Sequence, residues 1–282
     1  MKVKLTGILA IFFIVFCTSF ISLTDIKPVR ILQQMNDSIK SIKTVRAHIS
    51  ALERVENKFL TAKSEIKLQV HPRRLYFKNS LKKLEILYNH GQLNNKALVK
   101  PNTFPYVPLM LDPTGNLMRK NQHYTIHELG FDFVGRSVAF TINKDKEGLN
   151  NFKYHGKVNK NGYSCYFIEY ENKNFSYVDY TVGNKETVTS IALKLVVNDY
   201  LVRYKNDLLN DYGFLKQGRI IKVPTLFCKK ATLYIDEKMM LPVAVSLYDE
   251  IGIFENYEFT KIETNRPIKE EEFSRSYSGY NF

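Results

Sequence analysis

Residues 65–100 read EIKLQVHPRRLYFKNSLKKLEILYNHGQLNNKALVK. The first six alternate Ile66, Leu68 and Val70 with polar neighbours, the period-two signature of a strand with one buried face. Strand-like runs at 75–78, 84–89 and 97–100 follow, separated by turn-forming pieces such as His90-Gly91 and Asn94-Asn95. Parallel neighbours would need crossovers of a dozen or more residues, so short strands in direct succession predict an antiparallel meander. One face of that meander is expected to be buried.

Upstream, Pro28 opens a helical pattern in which Ile31, Met35, Ile39 and Ile42 form one apolar stripe. Residues 45–61, carrying Glu53, Arg54 and Glu56, read as a second helical segment, with Glu53-Arg54 on a solvated face favoured over a buried pair. Downstream, Asp112-Pro113-Thr114-Gly115 is a turn. A helix is expected over 126–142, with Phe131, Val134, Val138 and Ile142 on one side. Strands resume at 152–158, 163–171, 231–236, 243–248 and 257–264, and the aromatic-bearing tail 266–282 reads as a packed terminal arm.

Between those strands, residues 186–196 and 199–210 look helical and are flanked by strand-like 180–182 and 220–223. A strand–helix–helix–strand piece where a hairpin loop would take two to five residues is an insertion. The expected organisation is therefore a leader at 1–24, a main domain at 25–179 and 225–282, and an inserted unit at 180–224.

The leader is legible at the start. Lys2 and Lys4 precede an uncharged run over 5–24, which is what the secretion machinery reads. Cleavage after Ser19 or Thr24 is one outcome, and retention as an inner-membrane anchor is another. Lipidation of Cys17 is the third, although the bulky Phe16 precedes it. The formal net charge is +13, of which Lys2 and Lys4 supply 2, leaving +11. That balance suits anionic lipid, glycan or phosphate surfaces and permits membrane contact, while a solvated lysine surface needs no partner. No basic stretch interleaved with aromatics marks a nucleic-acid footprint. Beyond the leader only Cys165 and Cys228 remain, and spacing alone leaves a disulfide and two buried thiols equally open.

The 180–224 segment resembles a LysM module, a βααβ unit that binds N-acetylglucosamine-containing glycans. The match runs through Tyr180-Thr181-Val182, Glu186-Thr187-Val188, Ser190-Ile191-Ala192, Val197, Tyr200-Leu201 and Asn206. It closes on Leu215, Gly218 and Ile221-Lys222-Val223-Pro224. Lys185-Glu186 stand where the family's usual Gly-Asp pair precedes the threonine. The resemblance implies a sugar between two loops, with Gly183, Asn184, Glu186 and Thr187 on one and Asn210, Tyr212, Gly213 and Phe214 on the other. Read from the residues alone, Ile191, Leu195, Val197, Leu201 and Val223 form a small core, and Glu186 and Thr187 sit where helix caps sit.

The rest of the chain resembles an exported bacterial family, domain-of-unknown-function family 1571, whose structural relatives are the LolA/LolB outer-membrane lipoprotein carriers. Glu53-Arg54-Val55, Leu75-Tyr76-Phe77-Lys78, Glu85-Ile86-Leu87-Tyr88 and Leu111-Asp112-Pro113-Thr114-Gly115 carry it. So do Leu233-Tyr234-Ile235-Asp236, Leu241-Pro242-Val243, Tyr257-Glu258-Phe259-Thr260 and Glu272-Phe273. His123-Tyr124-Thr125-Ile126 replaces the family's basic–Pro–Ile segment before the middle helix. The resemblance implies an α+β fold, a strongly curved antiparallel half-barrel wrapped around helices, with an apolar interior able to hold lipid or lipoprotein acyl chains. Inward-alternating Leu68, Val70, Tyr76, Leu87, Leu98, Phe167, Tyr234 and Val245 are the expected lining.

Catalytic patterns are missing. His123 and His127 share a helical spacing, but Tyr124 stands where zinc enzymes carry glutamate, and no third ligand is apparent. No nucleophile elbow or phosphate-binding glycine loop occurs. The expected function is that of an exported, cofactor-free, non-catalytic envelope protein that binds a lipid, lipoprotein or other hydrophobic ligand. Peptidoglycan binding through the insertion is the first alternative, and a scaffold with no small ligand is the second.

Overall fold

The computed structural model describes residues 28–144 and 147–282. The leader expected at 1–24, with its three outcomes, lies outside them. Helix α1 (Pro28–Lys40) buries the expected stripe through Ile31, Leu32, Met35 and Ile39. The next segment departs from expectation. Residues 45–61 are not helical but form a long hairpin, β1 (Thr44–Val55) and β2 (Lys58–Gln69), paired from Thr44↔Gln69 to Val55↔Lys58. Its far edge is taken as well, because β1 also pairs with the last strand of the chain. Tertiary pairing on both edges overrides the local helix formers, as strand context commonly does.

The meander then runs as expected through β3 (Arg74–Asn79), β4 (Leu84–Asn89), β5 (Ala97–Pro101) and β6 (Leu109–Leu111). After the short α2 (Asn116–Arg119), helix α3 spans Asp132–Lys144, starting later than its periodicity predicts. Strands β7 (Phe152–Lys160) and β8 (Tyr163–Glu171) follow. The inserted unit comprises β9 (Tyr177–Thr181), α4 (Val188–Leu195), α5 (Asp199–Lys205) and β10 (Ile220–Pro224). The chain closes with β11 (Lys230–Asp236), β12 (Pro242–Tyr248) and β13 (Ile253–Thr264).

Eleven strands form one sheet in the order β6-β5-β4-β3-β2-β1-β13-β12-β11-β8-β7, every pair antiparallel. The sheet stays open, with β6 and β7 as its edges, so the architecture is an α+β half-barrel. β8 pairs directly with β11, and β9 and β10 pair only with each other. The βααβ unit is thus spliced between two neighbouring strands of the main sheet. It carries its own core of Val182, Val188, Ile191, Val202, Leu215 and Val223.

Helices α1 and α3 cover one face of the sheet. They come close at Gly135, where a Cβ would lie 3.1 Å from Asn36 Oδ1 and 3.3 Å from Ile39 Cγ2. Their apolar sides meet Val45, Ile49, Ile66, Leu75, Leu233 and Val245 in one continuous core. The opposite face is covered locally by the tail, which packs as expected: Tyr280 and Phe282 lie on Tyr76, Leu87 and Leu98. Cys165 and Cys228 are free, buried thiols. Burial pushes the Cys165 thiol up to about 11 and Cys228 higher still.

Candidate functional site

The concave face is crossed by residues 112–131, and its clefts lie beneath that segment. Asp112 starts it with a tight turn, Oδ1 accepting the Thr114 N–H at 2.8 Å and the Thr114 hydroxyl at 2.7 Å. Those bonds hold the Asp112 carboxyl below the usual carboxylate range. Further on, Arg73 Nη2 donates to the carbonyls of Ile126 (3.0 Å) and Leu129 (2.7 Å), clamping the segment to the β2–β3 hairpin. Gly130 then lies flat on the sheet: its φ is +113° and a Cβ would come within 2.9 Å of Leu68 Cδ2. A side chain there would meet both steric limits.

Two adjoining clefts remain open under the segment. The first, about 90 Å³, is lined by Ile49, Ala51, Leu60, Phe77, Phe133 and Phe259, with Glu53 and Lys82 among its few charged residues. The second, about 260 Å³, shares Phe77, Lys82, Tyr124 and Leu129 with the first and continues past Ile86, Val99 and Leu111. Leu117, Met118 and Lys120 complete its lining. A third, water-sized space between α3 and the other half of the sheet is lined by Val138, Tyr170, Leu233 and Val245.

Only part of the expected lining reaches these spaces. Val245 lines the third space, Leu68 is sealed under Gly130, and Val70 packs at the edge of the main core. Tyr76, Leu87 and Leu98 face the convex side instead, beneath the tail. Phe167 and Tyr234 stack on each other with centroids 4.7 Å apart, while their chain neighbours Ile168, Leu233 and Ile235 enter the core. These five alternate outward because directly paired residues share a face: Leu68 pairs with Leu75, so Tyr76 must point away. Phe77, paired with Ile66, is a lining residue that sequence reading missed. The hairpin register was the signal that could have found it.

Behind the first cleft lies a buried polar network. Glu255, 0% exposed, accepts from Tyr124 Oη (2.7 Å) and Asn198 Nδ2 (2.9 Å), and its Oε1 lies 2.7 Å from His123 Nδ1. His123 Nε2 lies 2.9 Å from the Arg54 carbonyl oxygen. Both ring nitrogens therefore face acceptors, which suits an imidazolium. Burial opposes that charge, but Glu53 and Glu255 outweigh it and hold the His123 pKa above its ordinary value. The ring stacks on Tyr200 at 4.0 Å. Arg54 is buried rather than solvated, and its partner is the buried Asp249, not Glu53. Glu53 instead accepts from the Tyr257 hydroxyl. His127 is elsewhere, its ring edge-on to Tyr88 at 5.1 Å. The helical spacing of the two histidines does not bring them together, because residues 121–131 form turns. Among the described residues no group of three His, Cys, Asp or Glu is placed to hold a metal.

The same network moors the inserted unit, since Asn198 caps α5 while donating to Glu255. Arg119, 1% exposed, reaches Asp199 at 3.2 Å and lies over the Tyr212 ring. Tyr212 donates its hydroxyl to the Arg119 carbonyl at 3.0 Å, so it packs at this junction and not in an open sugar groove. The two loops expected to hold a glycan do meet, joined by the Leu215 N–H to the Glu186 carbonyl at 2.8 Å. Glu186 is spent locally: it accepts from Gly183 N–H at 2.8 Å, Lys194 and the Tyr180 hydroxyl, which keep its pKa low. Thr187 caps α4 in a reciprocal pair with Ser190. Asn184, Asn210, Gly213 and Phe214 are exposed.

No curated protein matches the sequence. Among solved structures, the Pseudomonas aeruginosa MucA/MucB complex is similar over 88% of this chain and 60% of that one, at 10% identity and TM-score 0.40. The chain thus spans less than two thirds of that relative. The Mycobacterium tuberculosis lipoprotein LppX is similar over 87% of this chain and 98% of its own, at 13% identity and TM-score 0.42. For the LolA superfamily protein NE2245 from Nitrosomonas europaea the shares are 89% and 99%, at 8% identity and TM-score 0.34. A family model matches residues 42–180, from just before β1 into β9, where the inserted unit begins. The model is that of the family described as "Protein of unknown function (DUF1571)", and the match covers just under half of the chain.

Proposed function

We propose that the chain is an exported, non-catalytic binding protein whose concave clefts take up an acyl chain of a lipid or lipoprotein. The observation that carries this reading is the pair of adjoining clefts beneath residues 112–131, walled mainly by aliphatic and aromatic side chains. The charged groups behind them are tied into internal hydrogen bonds, which favours binding over acid–base chemistry and calls for no cofactor. Each methylene moved from water into such a space is worth about 0.8 kcal/mol. At about 90 and 260 Å³ the clefts fall below the roughly 300–1,000 Å³ that enclose a drug-sized ligand. As they stand, the clefts take part of a long chain and not the whole of it. Export rests on Lys2, Lys4 and the uncharged run over 5–24.

Lipid extraction and mass spectrometry of the protein purified from its native envelope, with titration of a fluorescent fatty acid, tests this. Co-purifying lipid and saturable binding are expected; absence of both sinks the reading. A second reading, glycan binding by the inserted unit, is favoured by Phe214, 72% exposed beside the joined loops. Retention on purified peptidoglycan that Phe214→Ala abolishes would support it, and unchanged retention would not.

A further inference from the structure

Large apolar side chains that the fold leaves uncovered gather at one end of the sheet. The β5–β6 loop presents Phe104, 86% exposed, together with Tyr106 and Val107. The β3–β4 turn beside it presents Leu81. These two loops are joined: Asn102 N–H donates to the Lys83 carbonyl at 2.7 Å, and Leu84 pairs with Pro101. Leu117, 75% exposed, completes the group from α2 and lines the mouth of the larger cleft with Lys82 and Lys120. Soluble surfaces rarely concentrate bulky apolar groups in this way without something to cover them.

The two loops that carry the patch are one-sided in charge. Lys82 and Lys120 line the cleft with Leu117, Lys100 Nζ donates to the Tyr106 carbonyl, and Lys83 is joined to the 102–107 loop through its carbonyl. From Ser80 to Leu111 the one acid is Glu85, which is fully buried and bonded to Tyr76 and Asn281. The next acid, Asp112, is tied up by Thr114. Apolar tips framed by long basic side chains match the depth profile of a bilayer interface, with hydrocarbon below and headgroups above.

We infer that the 102–107 loop, with Leu81 and Leu117, is a docking surface for an anionic phospholipid leaflet. Docking in this orientation sets the Leu117–Lys120 mouth of the cleft against the membrane, where an acyl chain would enter or leave. The inference stands on exposure and charge at this end of the sheet and holds whatever the cleft contains.

The chain contains no tryptophan, so Phe104→Trp in the full chain places a single reporter at the loop tip, where the exposed position tolerates it. Vesicles of phosphatidylcholine with phosphatidylglycerol should shift its emission to the blue, and brominated lipid should quench it. Leu93→Trp, at the opposite end of the same strands, should stay unshifted. Lys82→Ser with Lys83→Ser in the Phe104→Trp background should weaken the affinity about twenty-five-fold, at about fivefold per lysine. High salt should weaken it likewise. No shift at position 104, an equal shift with phosphatidylcholine alone, or an equal shift at position 93 overturns the inference. Fatty-acid titration of the same protein separates this outcome from failure of the cleft to bind lipid.

Discussion

His123 is held between a carboxylate and a backbone carbonyl, so its folded pKa lies above the value of about 6.5 that it has when unfolded. The charged ring then stabilises the fold fully below about pH 6.5, and the contribution fades as pH rises through the folded value. His123→Asn leaves Glu255 buried without its cation, a defect costing about 3 kcal/mol where the ring is charged. Denaturant midpoints of the two proteins should therefore differ more near pH 6 than well above it. A difference that grows with pH would contradict the assignment. Sequence reading saw His123 and His127 at a helical spacing but could not see Glu255, 132 positions away. The same blindness put Tyr76, Leu87 and Leu98 on the wrong face. On β3 the run Leu75-Tyr76-Phe77 is apolar throughout, so alternation has no polar phase to read.

Strands with a clean boundary at both ends were legible as elements. β4 and β8 fall on the residues their patterns predict, and the tail packs as an arm. The β1–β2 hairpin was not legible, since its pairing with β13 is set some 200 residues later. The arm is fastened at two levels. Glu272 forms ion pairs with Arg46 and Lys67, and although burial opposes ionisation, these partners hold its pKa near 2. Beyond it, Tyr280 stacks on Tyr76 at 3.7 Å and Asn281 donates to the buried Glu85. Deleting residues 274–282 should uncover Tyr76, Leu87 and Leu98 and leave Glu85 with Tyr76 as its remaining partner. Losing two aromatic anchors at roughly 1.5–3 kcal/mol each predicts a drop of about 2–4 kcal/mol, after partial collapse of the site. Calorimetry and binding of a hydrophobic dye read the change. A truncated protein with unchanged stability and no dye binding would show that the arm contributes nothing.

At the scale of the whole molecule, the open sheet has two apolar faces, and which of them is open to a ligand is decided by what covers each. The convex cluster is sealed by the chain's own tail, whereas the concave clefts lie under a segment held by the Arg73 clamp, by Gly130 and by the anchoring side chains of Arg119, His123 and Tyr124. Resemblance in sequence pointed to an apolar interior; pairing register and the placement of residues 112–131 are needed to say which residues line it. The distinction is measurable with two substitutions. Ala51 lines the first cleft, and Ala51→Phe fills space that an acyl chain would use. Displacing two methylenes, at about 0.8 kcal/mol each, already costs about tenfold in affinity. Fatty-acid binding should therefore weaken at least about tenfold in Ala51→Phe, with the thermal midpoint held or raised because a void is filled. Tyr76→Ala, on the convex side, should lower the midpoint and leave binding intact. The reverse pattern, with Tyr76→Ala losing affinity and Ala51→Phe keeping it, would move the binding face to the convex side and make the tail its cover.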